Sequence, residues 1–421
     1  MNKIKAVVFG LRNLLIEEVN GPDGSTGRLD RKSVHEFGRL LRLLKLRDIE
    51  PILFANDHWY FTKDKSRGAE EALGEEWGMS IRAFFAARDN MPRKPRAEAM
   101  AELLRRIGCT ANEVLYIGNN DDDMRTAVNG EVLFLNGTWL KDACTYGFKF
   151  QTVKDVARFI DVFCVRRHDW EFKLETDSGL RYFALAPFST MMQQYEEYSA
   201  SARNLAKGGI GDPIFWGRYL CASLFLSGLH SEIDYACPFP SHQANTWNDP
   251  LKSVVDSFTK CFRAKYLPDL VVRHKTALQS HKNRAAMSHL SHLETLRINR
   301  APIKNAKGDR YKNPPLDSKK TVLILDDICT RGYSLEAGRI LTQVTGAKVI
   351  TVSWLKTINT PFVEISAPII ASPYGTTTMN LAGQIQTRSH PYTATITDAE
   401  AYKELAQRHA AYETWDWPAG C

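Results

Sequence analysis

The chain has 421 residues, a formal net charge of +7, 44% hydrophobic and 24% charged residues, the balance of an ordinary globular protein. No stretch approaches the roughly 18 consecutive apolar residues of a membrane-spanning helix, and the first residues carry no signal-peptide pattern. The eight cysteines never fall as Cys-x-x-Cys, which argues against a zinc site or disulfide framework and makes a reducing cytoplasm the expected home.

In chain order, Ile4–Phe9 reads as a short strand and Lys32–Arg47 as an amphipathic helix. Pro51–Ala55 is a second strand, followed by a charged helix near Lys63–Trp77. Arg96–Ile107 is a helix stopped by Gly108, and Val114–Ile117 and Val132–Leu135 are further strands. This alternation predicts a parallel sheet with helices on both faces. Thr152–Phe163 reads as a closing helix, and the polar stretch Arg166–Gly179 as a linker. A second α/β unit is expected from Arg181 to Pro373. After it comes an extension, 374–421, ending in a helix with Thr397 and Glu400 spaced as a capping box.

The first 165 residues resemble haloacid dehalogenase-like (HAD) phosphatases at four short motifs. Lys5-Ala-Val-Val-Phe-Gly-Leu-Arg-Asn matches the first, with Gly10 and Arg12 where the family has its nucleophilic and proton-donating aspartates. Asn56 matches the phosphate-binding Ser/Thr position, and Lys94 the family lysine. Ile117-Gly-Asn-Asn-Asp-Asp-Asp matches the acidic metal motif, with Asn119 for its first acid and Asp123 for its second. Glycine cannot attack phosphorus, so the resemblance implies an inactive domain kept for binding, regulation or assembly. Lys94 and Asn56 are expected to retain weak phosphate affinity. Asp121, Asp122 and Asp123 suit a cation but read better as an acidic helix start.

The most informative segment is Val322-Leu-Ile-Leu-Asp-Asp-Ile-Cys-Thr-Arg-Gly-Tyr-Ser334. An apolar strand is expected to end at Asp326 and Asp327, followed by a tight loop and a helix from Leu335. Loop amides and the helix dipole favour a phosphate, Thr330 and Ser334 add hydroxyl donors, and Gly332 permits close approach. The two acids suit the vicinal hydroxyls of a ribose. Upstream, Arg273–Lys312 is rich in Lys and Arg and interspersed with His274, His281, His289 and His292. Such a patch suits pyrophosphate, a nucleotide, nucleic acid or an acidic protein partner. His289 and His292, three apart, also admit a weaker metal-site reading.

This segment resembles the phosphoribosyl diphosphate (PRPP) motif of type I phosphoribosyltransferases, although Arg331 and Tyr333 are bulky for it. Asp234-Tyr-Ala-Cys-Pro-Phe-Pro-Ser-His, Arg273, Gln279 and Leu296-Arg-Ile-Asn299 extend the resemblance to the ComF-like branch over roughly 180–370, without that branch's zinc-binding cysteines. The resemblance implies an α/β fold of two domains: a degenerate HAD-like domain (1–165), a linker (166–180), a phosphoribosyltransferase-like domain (181–373) and the extension. It implies Mg²⁺ as cofactor, with Asp326 and Asp327 as catalytic and metal-binding acids and Asp327 placed to act as base. Cys329, Thr330, Arg331, Gly332, Tyr333 and Ser334 would hold the 5-phosphate, and the loop of Pro238 and Ser241 the pyrophosphate. Arg273 and Lys275, with Lys282 or Arg284, would close over the leaving group, and Trp354 and Lys356 would meet a base.

The implied activity is glycosyl transfer at ribose C1, using PRPP or a nucleotide. The alternative is a nucleotide-cleaving or nucleotide-sensing effector, since the pairing of domains resembles accessory proteins of bacterial stress and phage-defence systems, including retron-associated effectors. An oligomer or larger complex is expected.

Overall fold

The computed structural model describes residues 3–21, 24–60, 67–244, 246, 249–277, 288–375 and 381–421. Two six-stranded sheets organise the chain. The first runs Arg82–Phe85, Glu50–Ala55, Ala6–Phe9, Val114–Gly118, Leu133–Gly137, Phe148–Phe150, with every neighbour parallel. Ala6–Phe9 is fully buried at its centre, which explains why its sequence is continuously apolar rather than alternating. The helix Arg31–Leu46 begins where Asp30 accepts from the Ser33 amide at 2.7 Å. It buries Val34, Phe37, Leu41 and Leu44, one helical face against the sheet. The helix Ala97–Ile107 stops at Gly108, whose φ of +68° suits glycine. The charged helix expected near 63–77 is described over Ala69–Trp77; residues 61–66 lie outside the described part.

The second sheet runs Lys265–Tyr266, Tyr235–Pro238, Thr321–Cys329, Lys348–Thr357, Arg181–Phe188, Phe172–Glu175. All neighbours are parallel except the last strand, which pairs antiparallel with Arg181–Phe188. The fold is therefore α/β, with two mostly parallel sheets flanked by helices.

Three boundaries differ from expectation. The stretch expected as a linker, 166–180, is built into the fold: Phe172–Glu175 is an edge strand, and Arg166 is buried. Alternating Phe172 and Leu174 supply the buried face that its charged composition hides. The C-terminal helix, Ala399–Tyr412, is capped by Asp398, which accepts from the Glu400 amide at 3.0 Å; the Thr397 hydroxyl instead donates backward to the Thr393 carbonyl. That helix is also no loose extension. Tyr412 packs on Phe163 and Phe215 at ring separations of 5.5 and 5.4 Å, so one apolar core runs through both halves. Among the described residues, no helix is long and apolar enough to cross a membrane.

Candidate functional site

The strand Thr321–Cys329 is paired on both sides and continues four residues past Leu325. Asp326 and Asp327 thus lie within the strand rather than at its end, and the loop shortens to Thr330–Gly332 before the helix Tyr333–Gln343. The acids stand near the carboxyl ends of parallel strands, where open α/β sheets hold ligands.

Asp326 accepts from the Asp327 amide and from the Ser334 hydroxyl, both at 3.0 Å. One hydrogen bond therefore ties the acid pair to the first turn of the helix. Burial, then the charge of Asp327, pushes the Asp326 carboxyl up to about 7, against the pull of Ser334 and Arg273. Burial also raises Asp327, whose side chain accepts from the Ile328 amide at 2.6 Å. Crowded carboxylates held against their own repulsion suit a divalent cation. Two carboxylates are an adequate protein share for Mg²⁺ when substrate oxygens supply the rest.

The loop is shaped from behind. Lys356 is fully buried, and its ammonium donates to the carbonyls of Thr330 at 2.6 Å and Thr360 at 2.7 Å and to the Thr360 hydroxyl at 2.8 Å. Because N–H and C=O of a trans peptide point oppositely, this turns the Arg331 amide away from Lys356. The Arg331 carbonyl accepts from Val363 at 2.9 Å. Gly332 has φ +79°, and any Cβ there would meet the Phe362 ring at 2.4 Å, so position 332 excludes every other residue. Its amide faces the Cys329 thiol, which burial pushes up to about 11. The first-turn amides of Tyr333, Ser334 and Leu335 have no partner within the helix. Thr330 and Arg331 are exposed, and Tyr333 lies edge-on to His289 at 4.7 Å.

Glu336 and Arg339, both fully buried, form a bidentate pair at 2.6–2.7 Å. Together they grip both backbone groups of Ile365, at 2.8 and 2.9 Å. Neither they nor Thr360 and Phe362 stand out in the sequence; the available signal is an acid and a base three apart within one helix.

The flanking residues divide. Pro238 ends its strand beside Leu325, and Ser241 follows in the adjoining loop, with its carbonyl accepting from Arg273 Nε at 2.7 Å. Arg273 is not on a hood: it is 3% exposed, bonded also to the Thr295 hydroxyl and to His292 Nδ1 at 3.1 Å, and stacked over Phe239. Burial lowers its pKa to about 10. Lys275 is exposed. Gln279, His281, Lys282 and Arg284 lie outside the described residues. His292, lowered to about 3 by burial and by Arg273, stays neutral, and His289 donates to the Val363 carbonyl. Both are thus committed to the interior, and among the described residues no group of three or more His, Cys, Asp or Glu is placed to hold a metal.

The base-contact expectations need correction. Trp354 is buried and stacks on Trp216 at 6.1 Å, because its strand is covered on both faces. Lys356 has spent its donors on the loop. Asp234, first of the ComF-like residues, sits at the opposite end of the sheet, accepting from Lys320 and the Thr321 amide.

In the first half, the four motifs converge but fill their own cavity. Gly10 lies against Asp123, which is fully buried. Lys94 pairs with Asp123 at 2.5 Å, and Tyr116 and Asn120 donate to the same carboxylate at 2.8 and 2.6 Å. Asn56 exchanges hydrogen bonds with the Lys94 backbone at 2.7 and 3.1 Å. Lys94 and Asn56 are therefore occupied, contrary to the expectation that they await a phosphate. Asn120 caps the helix Asp121–Asn129, with Asp121 and Asp122 exposed in its first turn.

No protein-family model matches this chain, and no curated protein matches it. Among solved structures, it is similar to the cobalt-bound deoxy-D-mannose-octulosonate 8-phosphate phosphatase of Haemophilus influenzae, at 16% identity over 34% of this chain and 70% of that one, with a TM-score of 0.25. It is also similar to the 3-deoxy-D-manno-octulosonate 8-phosphate phosphatase of Moraxella catarrhalis in complex with magnesium, phosphate and sugar, at 15% identity over 38% and 86%, TM-score 0.26. A HAD-superfamily hydrolase of Geobacter sulfurreducens shares 15% identity over 37% and 95%, TM-score 0.25. Overlap at this level says nothing about activity, substrate or metal use in this chain.

Proposed function

We propose that the second half binds PRPP or a nucleotide with Mg²⁺ and transfers a ribosyl group at C1. The observation that carries this reading is the bond between Ser334 and Asp326, which joins a carboxylate pair to the first turn of the helix Tyr333–Gln343. In the reaction, a nucleophile forms a bond to C1 while the C1–O bond to pyrophosphate breaks and pyrophosphate leaves with the electron pair. Asp326 and Asp327 would orient the ribose hydroxyls and hold Mg²⁺, which neutralises the leaving group. Asp327 is the candidate to take a proton from the acceptor. Tyr333 and Ser334 amides, with the Thr330 hydroxyl, would hold the 5-phosphate.

The alternative, a nucleotide-cleaving or nucleotide-sensing effector, is favoured by one observation: the bulky Arg331 and Tyr333 stand in the candidate phosphate loop and first helical turn, Arg331 exposed and Tyr333 against His289. On either reading the first half is a degenerate HAD-like domain used for regulation or assembly, its cavity filled by Lys94 and Asp123.

The test is calorimetric titration with PRPP and Mg²⁺, repeated on Asp326→Ala/Asp327→Ala. Saturable binding lost in the variant supports the site, and turnover with added acceptors then separates transferase from sensor. Absence of binding by the wild type rules out PRPP as ligand.

A further inference from the structure

We propose that the amino edge of the second sheet, the end opposite the acid pair, binds the sugar-phosphate backbone of a nucleic acid. A hairpin flanks this edge. Ile303 and Arg310 bridge its arms, and the Lys304 amide donates to the Asp309 carbonyl at 2.8 Å. At the tip, Asn305 Oδ1 accepts from the Lys307 and Asp309 amides at 3.1 and 3.2 Å, and Gly308 turns the chain at φ +83°. Arg310 is anchored on buried Asp269 at 2.8 Å. Tyr311 joins the hairpin to the sheet: its hydroxyl accepts from Lys265 Nζ at 3.2 Å, and its ring lies under the same ammonium at 5.4 Å. Lys265, Lys320 and Lys348 stand at, or one residue before, the start of three strands. Tyr235 pairs with Lys265 and Val322, and Thr321 with Lys348. Neighbouring strands lie about 4.8 Å apart, so this row of ammonium groups spans roughly 14 Å.

The acids of this edge are already committed. Asp234 pairs with Lys320 at 2.8 Å and accepts from the Thr321 amide at 2.9 Å. Glu232 pairs with Arg181 at 2.6 Å, Asp317 accepts from the Lys319 amide at 2.8 Å, and Asp309 accepts from Asn305 at 2.9 Å. What remains is positive. Lys265, Lys304, Lys307, Lys312, Lys319 and Lys348 are exposed, and none has a carboxylate partner among the described residues. Like charges gathered on a fixed frame repel one another, and a polyanion relieves that repulsion while releasing its own counterions. None of the exposed large apolar side chains falls in these segments. The edge therefore lacks the wedge that a lipid surface needs and the apolar anchor that a protein interface needs. Tyr311 is half-buried, engaged by Lys265 and edge-on to Tyr235 at 6.4 Å, which makes it a poor platform for a base. The surface is suited to phosphates rather than to sequence.

The proposal does not rest on the ribosyl site. It is tested by fluorescence anisotropy of the full chain with a labelled DNA duplex of about 20 base pairs, over a salt series. An RNA duplex of the same length is titrated alongside, and salt-sensitive binding of either supports the proposal. Lys304→Glu/Lys307→Glu alters the hairpin, and Lys265→Gln/Lys348→Gln alters the row on the sheet. Lys32→Glu/Lys45→Glu, at exposed positions of the helix Arg31–Leu46, matches the first variant in net charge. Thermal melts establish that each is folded. Lys304→Glu/Lys307→Glu is expected to weaken binding about tenfold or more and to reduce the slope of log K against log salt by about 2. Lys265→Gln/Lys348→Gln should weaken it in the same direction, while Lys32→Glu/Lys45→Glu stays within about twofold of wild type. No binding of either duplex by wild type at about 50 mM salt overturns the proposal. So does binding that both edge variants leave unchanged, or an equal loss in Lys32→Glu/Lys45→Glu. Polyglutamate competing as well as unlabelled duplex would assign the edge to an acidic protein and overturn it too.

Discussion

A Cβ at Gly10 would stand 2.5 Å from Asp123 Oδ2. The position that the sequence resemblance aligns with the nucleophile of HAD-like phosphatases is thus without a side chain and also closed in space, by a carboxylate that Lys94, Tyr116 and Asn120 hold in place.

Restoring the missing acid should therefore fail. Gly10→Asp forces two carboxylates together in a packed interior, a cost of about 1–3 kcal/mol from overpacking alone. We expect no hydrolysis of p-nitrophenyl phosphate with Mg²⁺, and a thermal midpoint lowered by several degrees. Measurable phosphatase activity in this variant would show that the cavity can reopen.

Glu171 gives a pH dependence. It is 4% exposed, one oxygen has no partner, and burial pushes its carboxyl up to about 8, despite the Tyr392 hydroxyl at 3.3 Å. The folded value lies above the unfolded one. Its contribution to stability is therefore full below about pH 4.5 and is lost as pH rises through about 8. Glu171→Gln removes that dependence. Its stability advantage over wild type should grow from pH 5 to pH 8, reaching several kcal/mol, and then level off. A constant difference across that range would contradict the assignment.

Breaking the Glu336–Arg339 pair should loosen the strand Phe362–Ile365 that it anchors. Glu336→Ala leaves a buried guanidinium uncompensated, at about 3–5 kcal/mol, measurable by urea unfolding. Glu336→Leu/Arg339→Met should recover much of that loss, since an apolar pair of similar volume needs no countercharge.

Lys356 separates two roles cleanly. As the staple behind the Thr330–Gly332 loop, on the proposed function its replacement in Lys356→Met should weaken PRPP binding about tenfold and lower the melting temperature. A role in touching a base predicts instead unchanged PRPP affinity and altered acceptor choice.

Much of this architecture is legible in the residues themselves. Ala6–Phe9 and Val322–Leu325 are apolar without alternation, as suits a strand covered on both faces, and Gly108 marks a helix end by backbone need. What stays hidden is what depends on distant partners. Nothing near Lys356 in sequence announces that Thr330 and Thr360 will supply its acceptors. The edge strand Phe172–Glu175 looks like a linker because half its residues face water. Arg273 reads as a mobile cation because His292 and Thr295, which enclose it, arrive some twenty residues later.

The C-terminal helix sets an order of events during synthesis. Tyr412 completes the aromatic cluster around Phe163, Arg408 satisfies the Val165 carbonyl, and Trp415 reaches Asp161 at 2.9 Å. The first half therefore emerges from the ribosome well before the element that seals it. Until residues 399–415 are released, the face of Phe163 and Phe215 that Tyr412 covers stays open, so the core cannot close before the chain is nearly complete.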